Sequence, residues 1–436
     1  MKECFFYIIL SLIFFHLQAQ EVTFNEYDLD NGLHVILHQD NTVPMVTTSV
    51  LYHVGAKDEK EDRTGFAHFF EHLLFEGTKN IERGKWFSIV SSNGGENNAY
   101  TSSDYTYYYE VFPSNNLELG LWLESERMLH PIINQIGVNT QKEVIKEEKK
   151  VDEESPYGKV LDVVKENLFI NHPYKKTVIG ETEHLDSAKL EEFLDFNKKY
   201  YVPNNAILVV AGDIQIDATK KMIADYFGTI PKGKAIIRKK IEEKPITEII
   251  EATAYDPNIQ IPMLVTAYRT PSIKSRDSKV LDMISSYLSD GKSSKLYRKM
   301  VDVKKNALEV GAINISQEDY SIYVIYGLPL GDTSLEKITE EFDQEIIKIQ
   351  KELISEKDYK KLQNKFETNF IDSNSSIEGI ANSLAEYHAF YKDTNLINSE
   401  IKIYRSISRE EIKQVAKKHL KSNKKLVVKY LPVSTK

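Results

Sequence analysis

The chain has 436 residues, 41% hydrophobic and 28% charged, which is too apolar for a disordered acidic tail and long enough for two domains or one duplicated unit. A net charge of −9 argues against a nucleic-acid surface, which needs an excess of Lys and Arg. The one cysteine, Cys4, lies in a segment expected to be removed, so disulfides, thiolate metal sites and thiol catalysis are excluded for the mature protein.

Residues 1–19 read as a signal peptide. Lys2 gives a charged start, residues 5–15 an apolar core too short to span a bilayer, and Ala19 a small residue for cleavage. The expectation is an exported protein, periplasmic or secreted, with no stable membrane span, because no apolar run of spanning length follows.

Apolar alternation around the turn Asp30-Asn31-Gly32 predicts a hairpin over 22–38, and a strand follows at 43–55. Helical periods cover 64–77 and 82–93, and a Tyr/Thr-rich run at 98–112 reads as one strand. Helices are expected at 115–130, 138–153, 157–169 and 188–200, then a buried strand at 206–212 and a helix at 214–227. The lysine-rich stretch 231–245, with two prolines, is the best linker candidate. Beyond it come strands at 247–255 and 260–268, a helix at 276–288, strands at 307–316 and 320–329, and two long helices at 335–355 and 356–391.

An internal repeat is visible. A shift of 219 residues places Glu192 on Glu411, Phe196 on Val415, Asn204 on Asn423 and Val209 on Val428. Each copy is an amphipathic helix, a turn and a buried strand. The expected fold is therefore α+β: two duplicated domains, each a mostly antiparallel sheet backed by helices. The expected divisions are 20–235, a linker at 236–245, and 246–436.

The sharpest chemical signal is His68-Phe69-Phe70-Glu71-His72. Histidines at i and i+4 share one helix face and can reach one ion. Phe66, Phe69, Phe70, Leu73 and Leu74 fall on the other side, leaving a His-His-Glu face. A catalytic zinc takes a third protein ligand. The charged segment 138–154 offers several carboxylates. If Val144, Ile145 and Val151 mark its inward face, Glu148 lies at the centre of that face with Gln141, while Glu143 and Glu147 lie off it. An inward glutamate without a partner is costly, and a metal relieves that cost.

The run GFAHFFEHLLFEGTKN, followed by a distal V-x-x-E-E segment, resembles the pitrilysin/insulinase family of inverted zinc peptidases, in its short bacterial, mitochondrial-processing-peptidase-like branch. The resemblance extends to Asn98-Ala99-Tyr100-Thr101, similar to the family's substrate-binding edge strand, to Pro156-Tyr157-Gly158, and to the segment 291–297. It implies zinc, one per chain, held by His68, His72 and Glu148, with Glu71 as general base. Gln141 stands where many members carry a second glutamate, and reads as a supporting hydrogen-bonding group for a ligand His or for water. Val301 and Leu308 stand where active single-chain relatives carry an Arg/Tyr pair that binds substrate or the oxyanion.

The implied activity is a zinc endopeptidase acting on peptide substrates. The implied partner is a second chain of the same fold that supplies the Arg/Tyr pair, in a heterodimer or a homodimer. The alternative is a non-hydrolytic structural or binding subunit. His388 and His419, in the second half, are expected to stand alone.

Overall fold

The computed structural model describes residues 21–433. The predicted signal peptide lies outside the described residues. Among those described, no helix is long and apolar enough to cross a membrane.

Eleven strands are described: β1 (Asn25–Asp28), β2 (His34–Gln39), β3 (Met45–Tyr52), β4 (Glu96–Thr101), β5 (Thr106–Pro113), β6 (Ala206–Gly212), β7 (Ile250–Asp256), β8 (Met263–Pro271), β9 (Ala307–Ile315), β10 (Tyr320–Pro329) and β11 (Leu426–Pro432). They form two sheets, in the orders β1-β2-β6-β3-β5-β4 and β7-β11-β8-β10-β9. In the first sheet only β2 and β6 run parallel. In the second only β7 and β11 do. With β1 set aside, the two sheets have the same topology, and the two repeat strands β6 and β11 hold the same place in each. The duplicated α+β architecture read from the sequence is the one observed.

The helices that build the site and the junction are α1 (Phe66–Leu73), α2 (Gln135–Glu154), α3 (Val160–Leu168), α4 (Leu190–Tyr200), α5 (Ile377–Glu386) and α6 (Arg409–His419). The bounds of α4 and α6 differ by the 219-residue shift of the repeat. α3 and α5 are near-equivalent by the same shift, and they trade places. Ile380, Ala381, Leu384 and Ala385 of α5 cover Ile207, Val209 and Ala211 of the first sheet. Val164 and Leu168 of α3 cover Val265, Val428 and Tyr430 of the second. Each sheet thus hides one face under a helix from the other half. This explains why β6 is buried along its whole length.

Two elements differ from expectation. The run 98–112 is a hairpin, β4 and β5, because Ser102 turns the chain: its Oγ accepts from the N–H groups of Asp104 and Tyr105, both at 3.0 Å. The helix expected over 356–391 breaks, because Ser376 caps a new helix by accepting from the Gly379 N–H at 3.0 Å.

Candidate metal and catalytic site

The start of α1 is fixed by the backbone around it. Gly65 precedes it at a φ of 87°, a region that favours glycine. A Cβ there would lie 2.5 Å from the Ile179 carbonyl oxygen, so the segment 177–180 packs directly on the helix start. Glu59 accepts from the N–H groups of Gly65 (2.9 Å) and Ala67 (2.8 Å), satisfying two donors that a helix start leaves free. Phe66 and Phe69 then pack on Phe193 of α4 with ring centroids 4.5 and 4.6 Å apart. With that side buried in the core, His68, Glu71 and His72 are left on the side that meets α2 and β4.

Across from them, α2 presents Glu148. Its buried positions are Gly137, Val138, Lys142 and Ile145. Val144 and Val151 are 45% and 62% exposed, so they do not mark the inward face as the sequence suggests. Val138 and Ile145 do, and Glu148 follows one turn after Ile145. Lys142 is buried only because its ammonium is satisfied by the carbonyls of Asp186 (3.2 Å) and Ala188 (3.3 Å).

The three predicted ligands converge. His68 Nε2 lies 3.3 Å from His72 Nε2. Glu148 Oε1 is 3.6 Å from the first nitrogen and Oε2 is 3.3 Å from the second. Tetrahedral zinc with bonds of about 2.0–2.2 Å separates neighbouring ligand atoms by about 3.3–3.5 Å. The two nitrogens sit at that separation, and each has a Glu148 oxygen within 3.6 Å, so one ion can reach all three side chains. Glu148 Oε2 is buried without a hydrogen-bonded partner among the described residues, as is His68 Nδ1. The imidazoles of His68 and then His72 hold the Glu148 carboxyl well below the usual carboxylate range. The residues present fit a zinc ion.

Glu71 sits on the same helix and is held from β4. Thr101 Oγ1 donates to Glu71 Oε2 at 2.6 Å. β4 is an edge strand, so one side of its backbone has no strand partner among the described residues. The Ala99 side chain is buried in the core. Tyr100 gives its hydroxyl to Asn382 Oδ1 of α5 (2.7 Å), and Asn98 Oδ1 accepts from the Ala99 N–H (2.9 Å). Of Asn98, Ala99, Tyr100 and Thr101, Thr101 is the one that hydrogen-bonds Glu71 among the described residues. Gln141 donates to Glu76 Oε1 at 2.6 Å rather than to a ligand histidine. Glu59 carries no sequence signal, since a glutamate seven residues before the first helical residue forms no local capping box.

Neither second-half histidine stands alone. His419 pairs with Asp277 at 2.7 Å. His388 stacks on His34 of β2, with centroids 3.4 Å apart and planes 17° off parallel, beside Glu26. Ring lone pairs lie in the ring planes, so in such a stack they run side by side instead of converging on one ion. Val301 packs against the second-half core, and Leu308 is 44% exposed. Neither side chain can donate a hydrogen bond.

Comparison with known proteins adds the following. The family model described as Insulinase (Peptidase family M16) matches residues 34–182, and that described as Peptidase M16 inactive domain matches residues 187–366. The zinc protease PqqE of Helicobacter pylori is 28% identical over 376 residues, covering 85% of each chain. The crystal structure of a protease from Helicobacter pylori superposes with a TM-score of 0.89 at 26% identity, covering 94% of this chain and 99% of that one. The periplasmic protease PqqL from Escherichia coli shares the fold, with a TM-score of 0.77 at 18% identity over 94% of this chain but 48% of that longer one.

Proposed function

The chain belongs to the insulinase family of peptidases, peptidase family M16, and from that premise we propose that it is a zinc-dependent endopeptidase acting on peptides or small unfolded proteins. The observation that carries the proposal is the convergence of His68, His72 and Glu148 within reach of one ion, with Glu71 between the two histidines on the same helix. Zinc bound there, one per chain, would supply Lewis-acid activation of water and of the scissile carbonyl.

The chain's own residues do the rest. Glu71 takes a proton from the attacking water and returns it to the leaving amine. Thr101, donating to one Glu71 oxygen, fixes the carboxylate so that the other faces the reacting centre. The open side of β4 pairs with the extended peptide backbone, which sets the scissile bond against α1. Gln141 ties α2 to Glu76, just past the end of α1, without adding negative charge.

Val301 and Leu308 leave the chain without its own side-chain donor for the oxyanion at those positions. A second chain of the same fold, identical or not, supplies it in this reading. The half-length match to a longer fold relative supports pairing of two such units. The same two positions, with the inactive-domain match over residues 187–366, favour the alternative of a non-hydrolytic subunit. The reading includes export to the periplasm or beyond.

The test is Glu71→Gln. It retains zinc and fold, and peptide hydrolysis falls by about a hundredfold or more. A variant with near-normal turnover removes Glu71 from the mechanism. A wild-type chain that holds zinc but cleaves nothing, alone or paired, supports the non-hydrolytic subunit.

A further inference from the structure

Beyond Glu71 the site opens into a cleft of about 510 Å³ between α1 and β4 on one side and the end of α2, α3 and the segment 177–179 on the other. Three lysines line it, Lys149, Lys159 and Lys165, beside the carboxylates of Asp152, Glu153 and Asp162. Two are already neutralised. Lys149 donates to the Gly180 carbonyl at 2.8 Å and lies 3.4 Å from Glu153. Lys159 lies 3.2 Å from the same glutamate.

Lys165 is different. It is the most buried of the three, at 7% exposure. Among the described residues its ammonium has no hydrogen bond and no carboxylate within 4.0 Å. The nearby acids do not serve it. Asp104 is occupied by Lys57, the Tyr174 hydroxyl and the Glu318 N–H. Asp162, one turn earlier on α3, is only half-buried and does not reach it. Burial pushes Lys165 below the usual lysine range and Asp162 above the usual carboxylate range, and their mutual attraction offsets it only in part.

The lysine is buried along its stem, its ammonium opens only to the cleft, and no group of the chain among the described residues accepts from it, so a ligand entering the cleft can complete it. The ligand here must be anionic, extended, and able to enter the cleft while its backbone lies on β4. We infer that Lys165 binds an acidic side chain of the peptide, making the cleft selective for Asp or Glu close to the scissile bond; this rests on the peptidase reading above. Asp162 and the exposed Asp152 do not favour the opposite choice, because a cation bound beside Asp162 would leave Lys165 unpaired and add a second positive charge beside it, and Asp152 is already open to water.

The test uses the full zinc-loaded chain and three peptides that differ only by Glu, Gln or Lys beside the cleaved bond. The wild type prefers Glu over Lys by tenfold or more in kcat/KM. Lys165→Gln and Lys165→Met bring that ratio to about one, and Lys165→Glu inverts it, with zinc content and melting temperature showing that the variants fold. Affinities of the Glu71→Gln chain for the same peptides read the preference without turnover, so a failure of catalysis and a failure of this subsite are distinguishable. Equal kcat/KM or affinity for the three peptides overturns the assignment. A preference for Lys that survives Lys165→Met also overturns it and gives the cleft to Asp162.

Discussion

The two halves share one topology and differ in chemistry. In the first, the helix after β3 carries His68, Glu71 and His72. In the second, the topologically matching helix after β8, Arg276–Ser289, carries no histidine, and its buried residues Val280, Leu281, Met283 and Ile284 serve the core. The sheet order is the same on both sides, so the fold alone does not create the site. The candidate site needs in addition two histidines one helical turn apart and a carboxylate from a neighbouring helix. The second half keeps a structural role: it lends α5 to the first sheet and holds Tyr100 of β4 through Asn382.

That comparison can be broken most forcefully at the exchanged helices. Leu384 of α5 and Leu168 of α3 are almost fully buried, each against the sheet of the opposite half. Leu384→Ala and Leu168→Ala should each cost about 2–5 kcal/mol. Calorimetry should show one shared unfolding transition moving down in both. Two separable transitions, with each variant shifting only one, would mean the halves are independent bodies.

A smaller effect sharpens the contrast in catalytic parts. The activity of the isolated chain across a concentration series should be low, and should rise by about a hundredfold on adding a chain of the same fold that supplies the missing donor. A rise with concentration alone indicates a homodimer. Full activity of the monomer would show that this chain needs no second copy.

The mildest test concerns the charges that tie the halves together. Glu318 of the second half meets His53 (2.7 Å) and Lys57 (2.6 Å) of the first. Burial opposes its ionisation, but the hydrogen bond and charge of His53, with the charge of Lys57, outweigh burial and hold its carboxyl well below the usual range. A carboxylate depressed in the folded state stabilises the fold above its unfolded pKa and loses that contribution as pH falls through acid values. Stability should therefore drop below about pH 4.5, and Glu318→Gln should flatten part of that slope. A variant with an unchanged acid profile would remove this cluster from the account.

Much of the architecture was legible from period alone. The strands 206–212 and 320–329 match β6 and β10, and the repeat pointed to the duplicated unit. The turn at Ser102 is not legible because a Tyr/Thr-rich run masks a serine turn, nor is the break before Ser376, because helical period continues across it. The exchange of α3 and α5 was not legible, since amphipathicity says that a helix is covered but not by which sheet. Glu148 lies on the inward face that period implies, yet two of the three positions that mark this face, Val144 and Val151, are exposed. A helix twenty residues long with few apolar positions leaves its inward direction poorly fixed. Lys165 and Glu59 gave no sequence signal, because their importance lies in what surrounds them after folding.

Zinc content per purified chain tests the central claim most directly. The wild type, Glu143→Gln and Glu147→Gln should each hold about one zinc, and Glu148→Gln well under one. Equal zinc in all four, or none in the wild type under zinc-replete conditions, would contradict the assignment of His68, His72 and Glu148 as the metal site.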